Sequence, residues 1–170
     1  MLYKKSHPLI ALFTFLLFFT VIILNSTDGL NLAIKGATPF ILLPLLTAFS
    51  VFGDVKKSAL AGFLTGACAD SVASGTYCFN TVILMIMATL VCLAANNLFN
   101  KNIRAAAVLS LFGAVLYFFF HWLIFRVFDY TAQQSLQHLL GYSLPSAIYT
   151  SVFIFPFYFI FKHFDKLKNQ

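Results

Sequence analysis

Residues 62–75 read GFLTGACADSVASG and place a carboxylate, Asp70, among small residues within an apolar segment. Gly62, Gly66 and Asp70 are four residues apart, so a helix carries them on one stripe. Small residues at this spacing let a second helix backbone approach closely in a membrane. A generic packing face would explain the glycines but not the aspartate, which is costly at membrane depth. We therefore expect Asp70 to lie in the same groove, where its carboxyl group accepts hydrogen bonds or stays protonated.

The composition around this stretch is that of an integral membrane protein. The 170 residues are 61% hydrophobic and 9% charged, whereas a soluble domain has roughly 25% charged residues. The net charge of +6 is therefore interpreted from the positions of the basic residues and not as affinity for nucleic acid. The three cysteines lack C-x-x-C spacing, which argues against a disulfide framework or a zinc site.

Six apolar stretches stand out, most of them near the short end of the ~17–25 residues that span a bilayer. They are Pro8–Leu24, Ala37–Gly53, Ser58–Ser74, Phe79–Ala95, Ala105–Phe125 and Leu144–Lys162. No A-x-A-like cleavage site follows the first stretch, so we interpret it as a retained helix and not a signal peptide. The segment 126–143 predicts an amphipathic helix at the outer interface, with Asp129 as its cap. Residues 1–170 are thus predicted to form a single all-α domain of six transmembrane helices.

Basic residues lie mainly on one side of these six stretches. Nine of the 11 fall on that side, namely Lys4, Lys5, Lys56, Lys57, Lys101, Arg104, Lys162, Lys166 and Lys168. The other two, Lys35 and Arg126, fall on the opposite side. Because cytoplasmic loops of membrane proteins are enriched in Lys and Arg, this distribution predicts that both termini are cytoplasmic.

The chain offers few groups for catalysis. All five acidic residues are Asp, and only Asp70 lies well inside a predicted helix, without a second carboxylate three or four residues away. No H-E-x-x-H, G-x-S-x-G or P-loop motif occurs. His121 is a possible partner of Asp70, but we favour an interfacial imidazole beside Trp122 in an aromatic belt. We expect no enzymatic activity, no cofactor and no metal.

The spacing Gly-x-x-x-Gly-x-x-x-Asp, followed by Ser-Gly and then Phe-Asn, resembles the central signature of the bacterial rod shape-determining protein MreD family. The matching residues are Gly62, Gly66, Asp70, Ser74, Gly75, Phe79 and Asn80. A second match, LPSAIYTSVFIFPFY, resembles the closing pattern of the family at Leu144, Pro145, Ala147, Ile148, Tyr149 and Pro156. Pro39, before an apolar run, is a weaker third match. The chain departs from the family at Cys78, where glycine is usual, and at Thr150, where asparagine is usual.

This resemblance implies a non-enzymatic scaffold of the rod complex, which supports cell shape and sidewall peptidoglycan synthesis from the bacterial cytoplasmic membrane. MreC is the first expected partner, followed by MreB, RodA and its transpeptidase, membrane lipid, and further copies of the chain within the complex.

The alternative is a substrate-binding S component of an energy-coupling-factor vitamin transporter, which has a similar six-helix architecture. S components typically carry small-xxx-small spacing in helix 1, whereas Ala11 is the only Ala or Gly in Pro8–Leu24. That difference favours the scaffold.

Overall fold

The computed structural model describes residues 8–27, 38–73, 77–97, 101–125, 137 and 139–169. These residues are almost entirely helical and include no strand. The elements are α1 (Pro8–Ser26), α2 (Leu42–Phe52), α3 (Val55–Val72), α4 (Phe79–Asn97), α5 (Ile103–Phe125), a π-helical turn (Leu139–Ser143), α6 (Leu144–Val152) and α7 (Ile154–Asn169). The stretch predicted to be helical from Ser58 to Ser74 ends at Val72, because Ala73 is extended. Ser74, Gly75 and the predicted Asp129 cap lie outside the described residues.

Four helical segments of the described chain are long and apolar enough to cross a membrane. They are Pro8–Ser26, Phe79–Asn97, Ile103–Phe125 and Leu139–Leu167. The outward surface of the bundle is also apolar, with exposed side chains such as Phe15, Leu64 and Phe112. Because such extensive apolar exposure marks contact with a membrane, the chain is a multi-pass helical membrane protein. The six spans and the cytoplasmic termini stay predictions.

The second helix is shorter than its predicted span. The apolar stretch covers residues 37–53, but α2 covers only Leu42–Phe52. Its 11 residues measure about 16 Å at 1.5 Å per residue, about half the ~30 Å hydrocarbon thickness. Nearly all its side chains are buried, because the other helices surround it. A helix that is mainly apolar on all sides is typical of such a central position, so α2 forms the core of the bundle.

The predicted last helix, residues 144–162, is interrupted. α6 ends at Val152, the N–H of Phe153 donates to the carbonyl of Thr150 at 3.2 Å, and α7 then runs from Ile154 to Asn169. Pro156 explains the break. It has no N–H to donate to the carbonyl of Val152, and its ring would clash with that carbonyl in a continuous helix.

The charge distribution gives a testable orientation for α3. We expect Lys57→Cys, on a background without native cysteines, to resist membrane-impermeant maleimide in intact cells and to react after permeabilisation. Tyr77→Cys is the control that should react in intact cells, because Tyr77 lies beyond the opposite end of α3 and is 92% exposed. Labelling of position 57 in intact cells would contradict the predicted orientation.

Candidate functional site

The backbones of α3 and α4 touch along the glycine stripe. A Cβ atom added at Gly62 would lie 2.6 Å from the carbonyl oxygen of Leu84, and one added at Gly66 would lie 2.4 Å from the Cα of Thr81. Real Cβ atoms essentially never approach other heavy atoms this closely. Only glycine therefore fits at these two buried positions.

Asp70 joins this helix pair near the end of α3. Its Oδ1 accepts hydrogen bonds from the backbone N–H and the side-chain Nδ2 of Asn80, at 3.1 and 2.9 Å. Its Oδ2 accepts from the backbone N–H and the hydroxyl of Thr81, at 2.7 and 2.6 Å. A carboxylate, which only accepts hydrogen bonds, matches these four donors.

The position of these donors makes Asp70 a helix cap supplied by a neighbouring helix. Asn80 and Thr81 are the second and third residues of α4, whose N–H groups have no partner within the helix. The residue preceding a helix usually caps them with a side-chain oxygen, but here that residue is Cys78. The negative charge of Asp70 is also stabilised by the positive end of the α4 dipole.

The hydrogen-bonded network continues into α5 through Tyr117. The Tyr117 hydroxyl donates to Oδ1 of Asn80 at 2.7 Å, and its buried ring stacks on Phe40 with 4.6 Å between centroids. Asp70, Asn80 and Tyr117 thus connect three helices. Sequence reasoning missed Tyr117, although it is the residue with a hydroxyl in the aromatic run 117–120.

His121 lies one turn after Tyr117 in a cluster of aromatic rings. Its ring centroid is 5.0 Å from that of Phe125, 5.8 Å from that of Phe79 and 6.3 Å from that of Tyr117. Trp122 packs against Phe119, with 6.0 Å between ring centroids. Tyr117 hydrogen-bonds Asn80, and the imidazole of His121 lies in the aromatic cluster beside it.

A small cavity lies next to this network, at the predicted outer end of the bundle. Its volume is about 200 Å³, and Tyr117, His121 and Tyr142 contribute to its wall. The hydroxyls of Thr38 and Tyr142 in the wall hydrogen-bond to each other, and Asn25 Oδ1 accepts from a backbone N–H at the start of α2. Small-molecule pockets usually measure about 300–1,000 Å³. The cavity is thus smaller than a typical ligand site, and part of its polar lining holds the helix ends together.

The predicted site residues of the closing pattern lie in α6. Pro145 is exposed in the first turn, where a missing N–H is tolerated. Tyr149 is half-buried and packs against Phe153, with 5.5 Å between ring centroids. Thr150, a departure from the family pattern, connects α6 to the site because its hydroxyl accepts the N–H of Phe40 at 3.0 Å.

These features define a helical multi-pass membrane protein whose polar site is a set of contacts between helices. In the part of the chain that the structure describes, no three His, Cys, Asp or Glu side chains are grouped to hold a metal ion. No family model, curated protein or solved structure matches the chain.

Proposed function

We propose that this protein is a non-enzymatic membrane scaffold of the MreD type, which serves the rod complex of a bacterial cytoplasmic membrane by binding MreC. One observation carries the proposal. Asp70, which ends the Gly-x-x-x-Gly-x-x-x-Asp spacing, accepts two hydrogen bonds from Asn80, the second residue of the Phe-Asn pair. The separate parts of the resemblance therefore make one structural unit, a helix hairpin with a shared cap.

The hydrogen bonding of Asp70 supports a structural role over a chemical one. Both carboxylate oxygens are engaged by donors of the α4 N-terminus. A general acid or base instead needs to reach the proton of a substrate. A cap that fixes two helices against each other suits a scaffold, whose surface must keep one shape to bind its partner.

The cavity beside Tyr117 is the observation that favours an S component of a vitamin transporter, because such proteins bind a small molecule near the outer face. Its volume of about 200 Å³ is small for that purpose. The aromatic and hydroxyl side chains around it also serve helix packing. We therefore keep the scaffold as the proposed function and the S component as the alternative.

Copurification tests the proposal and separates the two functions. We expect the tagged full-length chain, isolated from membranes in mild detergent and reconstituted in nanodiscs, to retain MreC, with MreB, RodA and its transpeptidase present in lower amounts. An unrelated single-pass membrane protein expressed at the same level is the control for non-specific association. Capture of a transporter ATPase module would support the alternative, and failure of the purified pair to associate would contradict the scaffold.

A further inference from the structure

A second, larger cavity is an open groove between α4 and α5 on the outside of the bundle. It has a volume of about 450 Å³ and is lined by apolar side chains, including Leu90, Leu93, Leu109 and Phe112. Three of these side chains are at least 40% exposed, namely Leu90, Leu93 and Phe112. Among the described lining residues, the polar one is Asn97, the last residue of α4. The groove is therefore apolar along its length and polar at one end.

Two basic residues follow the polar end of this groove in the chain. Lys101 lies just before α5 and Arg104 lies in its first turn, and both are exposed. The hydroxyl of Tyr158 donates to the carbonyl of Lys101 at 2.8 Å. The Nζ of Lys162 lies 5.8 Å from the centroid of the same tyrosine ring. Three basic side chains thus belong to the end of the bundle at which the groove stops.

We propose that this groove binds an anionic phospholipid, with an acyl chain along α4 and α5 and its phosphate near Lys101 and Arg104. The groove extends along α4 from Met87 to Asn97, about 15 Å at 1.5 Å per residue. That length is about half of the ~30 Å hydrocarbon core, and therefore matches one leaflet. Basic residues at the ends of transmembrane helices attract anionic headgroups.

The lining of the groove favours a lipid over a helix of a partner protein. Helices associate in membranes through small residues that let their backbones approach, as Gly62 and Gly66 do between α3 and α4. The α4–α5 groove is instead lined mainly by Leu, Met, Val and Phe, with Ala94 as its small residue. Bulky apolar side chains of this kind suit a flexible hydrocarbon chain. This inference is independent of the proposed scaffold function.

Native mass spectrometry of the full-length chain in detergent tests the headgroup preference. Phosphatidylglycerol and phosphatidylcholine with identical acyl chains are the two probes. We expect phosphatidylglycerol to bind more tightly. Lys101→Ala with Arg104→Ala should weaken its binding by about fivefold per cation removed and should weaken phosphatidylcholine binding less, because the choline group already neutralises the charge of its phosphate. Equal binding of the two lipids by the unmodified chain, or an unchanged preference in the double variant, would overturn the proposal.

A second pair of variants tests the groove itself. Ala94→Phe places a ring in the groove, and we expect it to reduce the binding of both lipids. Val82→Phe is the matched control, because Val82 is 51% exposed on α4 and lies outside the groove lining. Equal lipid binding by the two variants would overturn the groove as the site. So would a photo-crosslinker at Leu93 that yields a protein adduct instead of a lipid adduct in cells, because the occupant would then be a partner helix.

Discussion

Gly66→Ala will force α3 away from α4 and sharply reduce the amount of folded protein in the membrane. The added Cβ would lie 2.4 Å from the Cα of Thr81 and 2.5 Å from the carbonyl oxygen of Asn80. These are backbone atoms, which cannot rotate away as the end of a side chain can. Overpacking usually costs about 1–3 kcal/mol, and we expect a cost at the upper end of that range. Gly66→Leu will cost more, because its whole side chain must occupy the space of the α4 backbone.

Gly141→Ala provides the matched control for this prediction. An added Cβ at Gly141 has no heavy atom within 4 Å, so the same chemical change should leave the protein intact. The measurements are membrane abundance by immunoblot and thermal stability in detergent by size-exclusion chromatography. A decrease of a few kcal/mol in the free energy of unfolding changes cellular abundance several-fold. Wild-type abundance and stability of Gly66→Ala would contradict the close contact of the two backbones.

The glycine and aspartate stripe could be predicted because its geometry is local to one helix. Spacing alone places Gly62, Gly66 and Asp70 on one face, and the structure places both glycines against α4. The partner atoms could not be predicted in the same way. Asn80 and Thr81, which donate four hydrogen bonds to Asp70, lie ten and eleven positions later in the chain, and their approach depends on how α3 and α4 pack. The contact of Tyr117 could not be predicted either, because Tyr117 lies 47 residues after Asp70 in the sequence and joins the network from α5.

The lengths of the helices show where hydropathy is insufficient. An apolar side chain has the same hydropathy whether it faces lipid or another helix. The sequence around α2 therefore predicted a transmembrane helix, although α2 is short and central. The break between α6 and α7 has a different origin. Pro156 is visible in the sequence, and proline within a helix removes a hydrogen bond and clashes with the preceding turn. The interruption near Phe153 could therefore have been predicted from that residue.

Asp70→Ala will be the most damaging single change in the polar network. It removes the acceptors of four hydrogen bonds and leaves two N–H groups of Asn80 and Thr81 without their cap. An unsatisfied buried donor costs about 1–3 kcal/mol, so the total will exceed the cost of any single lost hydrogen bond. Tyr117→Phe removes one hydroxyl bonded to Asn80 and should cost about 1 kcal/mol.

Asp70→Asn separates a structural role from a chemical one. Average interhelical polar contacts contribute only ~0.6 kcal/mol in membranes, which predicts a mild effect from sequence alone. The structure predicts a larger loss of stability than this. In asparagine an NH2 group replaces one carboxylate oxygen, and its two donors would face the donors of Asn80 or Thr81. For the proposed scaffold, we expect membrane abundance and cell-shape complementation to fall together, in the order Tyr117→Phe, Asp70→Asn, Asp70→Ala. A proton- or ion-coupled carboxylate predicts a different pattern, in which Asp70→Asn retains normal abundance and MreC binding but loses complementation. That pattern would show that the charge of Asp70 is needed for more than capping α4.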